Sequence, residues 1–185
     1  MLRRIITFVI LAFASLLLPN CHGWHSQVWQ DEDEPNIEIL GLGHVKTLGL
    51  TSRFIDDSSL RRSILFMLRK RGLSAPRPLG DLPSGISQGF LDSSQLMSLN
   101  ATFPGRYWLR GEMDIRPEET LIQRKYSLSL SLEIVDLATG RIQAQGSVHR
   151  TELETIRRSH ILEGLRILLG GLLVREEGTL SAFGI

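Results

Sequence analysis

The chain has 185 residues, a formal net charge of +1, 42% hydrophobic residues and a single cysteine. The near-neutral charge, with no basic face interleaved with aromatic residues, argues against nucleic acid as a partner. The lone cysteine excludes an intramolecular disulfide framework, and the length beyond a short leader suits one domain with its own core. No internal repeat of useful length stands out.

The chain opens with Arg3 and Arg4, followed by an unbroken apolar run from Ile5 to Leu18 that ends at Pro19-Asn20-Cys21. A basic start before a short apolar stretch predicts a secretory signal peptide over residues 1–20. The run is shorter than the roughly 18–20 residues that span a bilayer as a helix. Cys21 follows at once, with Leu18 three residues before it, and this arrangement resembles a bacterial lipobox. Asn20 stands where a small residue is usual. The resemblance implies that Cys21 is lipidated and that its acyl chains hold the protein at a membrane, each buried methylene contributing ~0.8 kcal/mol. The alternative is an unlipidated secreted protein with an idle thiol.

Residues 22–36 read as a linker, because Asp31-Glu32-Asp33-Glu34-Pro35 is an acidic run closed by proline. His22, Trp24 and His25 lie near Cys21 but fit no zinc-ligand spacing. Adjacent acids in a linker are not a preformed calcium cage.

Ile37–Val45 reads as a first strand and His44–Ile55 as a loop. A helix starts at Asp57 or Ser58, with Leu60, Ile64, Met67 and Leu68 as its apolar stripe and Arg69, Lys70, Arg71 and Gly72 at its end. The basic cluster there is a solvated helix end, or a contact for anionic lipid or another polyanion. Leu73–Gly89 is rich in Pro, Gly and Ser. Asp92 to Gln95 forms a capping box for a short helix ending near Leu99.

The second half alternates strictly. Tyr107, Leu109, Gly111, Met113 and Ile115 alternate with polar residues and Trp108, and Tyr126, Leu128, Leu130, Leu132 and Ile134 alternate with Ser127, Ser129, Ser131 and Glu133. Asp136-Leu137-Ala138-Thr139-Gly140 is a tight connection into Ile142, Ala144, Gly146 and Val148. Three antiparallel strands follow, each with one buried and one wet face. Thr151 and Glu154 match a second capping box for a helix carrying Leu153, Ile156, Ile161, Leu165, Leu168, Leu169 and Leu172. Gly170-Gly171 weakens its last turns, so the helix is expected to kink or end there. The fold class is α+β, a two-layer sandwich with a mostly antiparallel sheet of about four strands packed by two main helices. It forms a single domain over residues 37–175, followed by a loose tail at 176–185.

No catalytic set, metal centre or cofactor motif is present: there is no P-loop, nucleophile elbow or HExxH, and Gly41-Leu42-Gly43 lacks the third glycine of a dinucleotide fingerprint. His22, His25, His44, His149 and His160 are scattered polar residues. The row Ser127, Ser129 and Ser131 makes a small, flat polar surface, either an ordinary wet face or a docking surface for a partner.

Trp108-Leu109-Arg110-Gly111-Glu112-Met113, the long strand from Tyr126, and the turn from Asp136 to Gly140 resemble small envelope lipoproteins, the LpoB-type activators of penicillin-binding proteins and the CsgG-type curli secretion lipoproteins. A second similarity is to LptE-like lipopolysaccharide-assembly lipoproteins, on Cys21-His22-Gly23-Trp24 and the two-helix layout. Both resemblances imply a non-catalytic periplasmic accessory protein, anchored to the outer membrane, that docks on a larger machine. Its partner would be a penicillin-binding protein or an outer-membrane barrel, and it would use no cofactor and no nucleic acid. The alternative from another class is a secreted enzyme with an unrecognised site.

Overall fold

A computed structural model describes residues 23–31, 37–75, 92–119 and 124–173. The leader, Cys21, His22, most of the acidic run, most of the Pro/Gly/Ser-rich stretch and the C-terminal tail lie outside the described residues. The chain runs through β1 (His25–Gln30), β2 (Leu40–Gly49), a short 3-10 turn (Thr51–Arg53), α1 (Asp57–Lys70), α2 (Ser93–Thr102), β3 (Tyr107–Glu119), β4 (Arg124–Asp136), β5 (Ile142–Leu153) and α3 (Arg158–Leu173). The strands form one sheet in the order β1-β5-β4-β3-β2. All pairings are antiparallel except β2 with β3, which is parallel. The α+β sandwich holds, with five described strands rather than four.

Period two builds the core. From β4, Leu128, Leu130, Leu132 and Ile134 are at most 1% exposed, each worth roughly 1.5–3 kcal/mol of burial. They meet Leu60, Ile64 and Leu68 of α1 and Ile161, Leu165, Leu168, Leu169 and Leu172 of α3 in one cluster. Asp56 caps α1, its carboxylate accepting the Ser59 N–H at 2.8 Å, and Asp92 caps α2 through the anticipated capping box.

Five local expectations change. Residues 25–30 are not a linker but an edge strand on β5. The first expected strand is displaced along the chain: β2 runs on to Gly49, where a loop was expected, before the 3-10 turn. Thr151 does not cap a helix, because β5 continues to Leu153, which pairs with Tyr126, and α3 starts at Arg158. Gly170-Gly171 does not end α3, which reaches Leu173. Trp108 is not on a wet face: it is 1% exposed, edge-on to Phe103 with ring centroids 5.4 Å apart, in a second cluster with Leu99 and Leu137. α2 therefore covers part of the sheet face opposite α1 and α3.

Candidate functional site

The part of that opposite face not covered by α2 carries the polar half of every alternation. Registers place its side chains in rows across the sheet. One row reads Lys46, Glu112, Ser131, Ser147 and Gln27 from β2 to β1. The next reads Leu48, Asp114, Ser129, His149 and His25. A third joins Arg110, Glu133, Gln145 and Trp29. Arg116 lies opposite Ser127.

The sequence-predicted serines all lie here, on the central strand and half-buried among longer neighbours. Ion pairs stiffen the face: Arg110 grips Glu133 at 2.9 Å, and Arg116 holds Asp114 at 2.5 Å. Beside Ser131 lies a shallow depression of about 340 Å³, lined by Gln27, Trp29, Glu133, Gln145 and Ser147. Trp29 is 52% exposed, a large aromatic on an otherwise polar surface. Treating residues 22–36 as linker hid Trp29 from the sequence reading; the pair Val28-Trp29 inside a polar stretch was the available signal.

The face also gathers a serine, a histidine and an aspartate. Ser129 lies between Asp114 and His149, so the acid and the imidazole stand two strand spacings apart, about 10 Å. A Ser-His-Asp relay needs the histidine in the middle. Among the described residues no hydrogen bond joins the three.

The remaining histidines are dispersed. His44 sits at a bulge in β2 between Leu42 and Val45, beside a smaller hollow of about 150 Å³ lined by Asp57, Ser58 and Arg61. His160 lies in the first turn of α3, its pKa lowered by burial and by Arg150 and Arg157, with Glu163 opposing. Among the described residues no group of three or more His, Cys, Asp or Glu could hold a metal ion, and no helix is long and apolar enough to cross a membrane.

No protein-family model matches the chain, and no curated protein matches its sequence. Solved structures do. The PelC dodecamer from Paraburkholderia phytofirmans is similar with a TM-score of 0.57 at 14% identity, over 83% of this chain and 100% of that one. Lipoprotein GNA1162 from Neisseria meningitidis gives 0.46 at 14% identity, over 68% and 89%. The LpoB C-terminal domain from Salmonella enterica gives 0.34 at 12% identity, over 64% and 85%. The neighbours thus include bacterial lipoproteins, and what the chain shares with the PelC structure is its fold.

Proposed function

We propose that this chain is a lipid-anchored accessory protein of the bacterial envelope, tethered at Cys21, that acts by binding and positioning another envelope protein. The observation that carries this reading is the sheet face that no described helix beyond α2 covers, where Trp29 and the 340 Å³ depression lie beside the Ser127-Ser129-Ser131 row. An exposed aromatic beside a small polar surface stiffened by ion pairs suits protein recognition, in which a few aromatic anchors carry most of the binding energy. The leader and the position of Cys21 support the anchor. The PelC neighbour is a dodecamer, which supports copies of this chain working side by side on one machine.

The partner is a penicillin-binding protein in the LpoB-type reading and an outer-membrane barrel in the LptE-like reading. Affinity capture from detergent-solubilised envelope tests both, and recovery of neither class, with the lipidated protein as bait, overturns the reading. Cys21→Ser should move the protein from the membrane to the soluble fraction. The secreted-enzyme alternative gains nothing from Ser129, His149 and Asp114, whose order across the sheet places the serine between the other two.

A further inference from the structure

The segment from Trp24 to Gln30 is a strap laid along the edge of β5 and against α3, and glycines remote in sequence shape its seat. A Cβ at Gly164 would meet the Trp24 ring at 2.7 Å. One at Gly171 would meet Val28 Cγ2 at 2.6 Å, and one at Gly146 would meet the same atom at 3.2 Å. At Gly164 and Gly171 the notch is filled by a strap side chain that only a glycine leaves room for, and at Gly146 Val28 shares the notch with Leu168 of α3. Gln30 Nε2 donates to the carbonyls of Gly171 and Leu172, both at 3.0 Å, in the last turn of α3. At the other end, the Arg150 guanidinium lies over the Trp24 ring, 5.7 Å from its centroid, and pairs with Glu163 at 3.5 Å.

The segment from Trp24 to Gln30 is therefore seated on the domain, and only His22 and Gly23 separate Trp24 from Cys21. Three residue steps reach at most about 11 Å, whereas the fifteen-residue linker read from the sequence would reach about 50 Å.

We infer that the end of the domain formed by Trp24, the close of β5 and the start of α3 lies against the headgroup surface of the membrane that holds Cys21. This rests on the acylation of Cys21 proposed above. The exposed residues at that end, Glu154, Thr155, Arg157, Arg158 and Ser159, are polar and suit a headgroup zone. The opposite end, at the β4–β5 turn with exposed Thr139 and Arg141, lies a strand length away, about 40 Å for the twelve residues of β5. The strands then rise from the membrane, and the open face with Ser129 and Trp29 is presented sideways to a partner anchored in the same bilayer.

The test uses full-length lipidated protein in phosphatidylethanolamine–phosphatidylglycerol vesicles, with a photoreactive benzoyl group placed at Thr155, Ser159 or Thr139. After irradiation, mass spectrometry should find lipid adducts at Thr155 and Ser159 at least about tenfold above Thr139, given the separation of the two ends. Equal yields, or a preference for Thr139, would overturn the orientation. Inserting a flexible Gly/Ser spacer as long as the strands between Cys21 and Gly23 should abolish the preference. A preference that survives the spacer refutes the short leash. The intact mass of the same samples separates the two readings: an unacylated chain removes both the anchor and the orientation, while an acylated chain with even labelling removes the orientation alone.

Discussion

Arg106 closes over the buried carboxylate of Asp136. Its Nε and Nη2 donate to Asp136 Oδ2 at 3.0 and 2.6 Å, while Asp136 is 1% exposed and Arg106 is 59% exposed. Asp136 Oδ1 accepts the Ala138 N–H at 2.9 Å, and the turn ends at Gly140 with φ +71°, a conformation that favours glycine. The pair thus ties the loop before β3 to the β4–β5 turn. Burial pushes the Asp136 carboxyl up, but Arg106 and the turn's donors outweigh it and hold the pKa below the ordinary 3.8.

A folded pKa below the unfolded one gives stabilisation that is complete above 3.8 and lost as pH falls through the folded value. Arg106→Gln should therefore raise the pH of acid unfolding. Asp136→Ala should cost about 1–3 kcal/mol at neutral pH and flatten the acid slope. Urea melts across the acidic range check both, and an unchanged acid midpoint in Arg106→Gln would remove the pair from the account.

His160 acts in a different window. Its Nδ1 accepts the Arg157 N–H at 3.3 Å, which only the unprotonated nitrogen can do. With the folded pKa below the ordinary 6.5, the unfolded chain takes up the proton first. Stability is thus full above 6.5 and declines as pH falls from there towards the folded value, below which the loss is complete. His160→Gln should remove that decline while leaving the more acidic Asp136 slope in place. Thermal melts taken through the mildly acidic range separate the two residues.

The three long strands were legible because their period-two pattern answers directly to burial, as Leu128, Leu130 and Leu132 show. The caps at Asp56 and Asp92 were legible to within a residue or two because side-chain capping is local. β1 was not legible: only Val28 among its inward positions is a large apolar residue, and its seat comes from Gly146 and Gly171, more than a hundred residues away. The Thr151–Glu154 pattern matched a helix start, but pairing of Leu153 with Tyr126 across the hairpin prevailed. Trp108 alternates with the core, so its strand position alone made it wet; burial came from α2, which period two in β3 does not encode. The same holds for the candidate site, where the serine row could be read from one strand and the Trp29 depression required the fold.

The glycine notches make a prediction that runs against helix propensity. Gly171→Ala should favour α3 by ~1 kcal/mol on propensity alone. Its Cβ would nonetheless lie 2.6 Å from Val28 Cγ2, so the substitution should loosen β1. Amide exchange in His25–Gln30 should speed up, and Val28→Ala in the same chain should restore part of the protection. A coupling of about 0.5–3 kcal/mol in the double-mutant cycle is expected; additive effects would show that the two residues do not share a notch.

The second cluster makes a parallel case on the opposite face. A Cβ at Gly41 would strike the Trp108 ring, and it would lie 2.8 Å from Phe103. Gly41→Ala should therefore displace the indole and destabilise the packing of α2. Trp108→Ala should cost about 3–5 kcal/mol. Near-ultraviolet circular dichroism and denaturant melts report on both, and a Gly41→Ala protein with native melting and an unchanged indole signal would show that the contact is soft.

The open face separates folding from binding through adjacent residues of one strand. Ser129 is half-buried and points away from the core between Asp114 and His149, whereas Leu130 beside it is 1% exposed within the core. Leu130→Ala should cost about 2–5 kcal/mol, and any loss of partner capture would follow the loss of fold. Ser129→Arg removes no core contact, so its stability should stay within about 0.5 kcal/mol of the parent. If the serine row is the docking surface, the new guanidinium stands in the interface and partner recovery from solubilised envelope should fall while the melting temperature does not. Trp29→Ala should also lower recovery, from the rim of the depression; the side chain is 52% exposed and its covered half contributes about 1–3 kcal/mol to the fold, so recovery is compared at a temperature well below the variant's melting point. Full recovery of the partner by both variants would move the binding surface off this face.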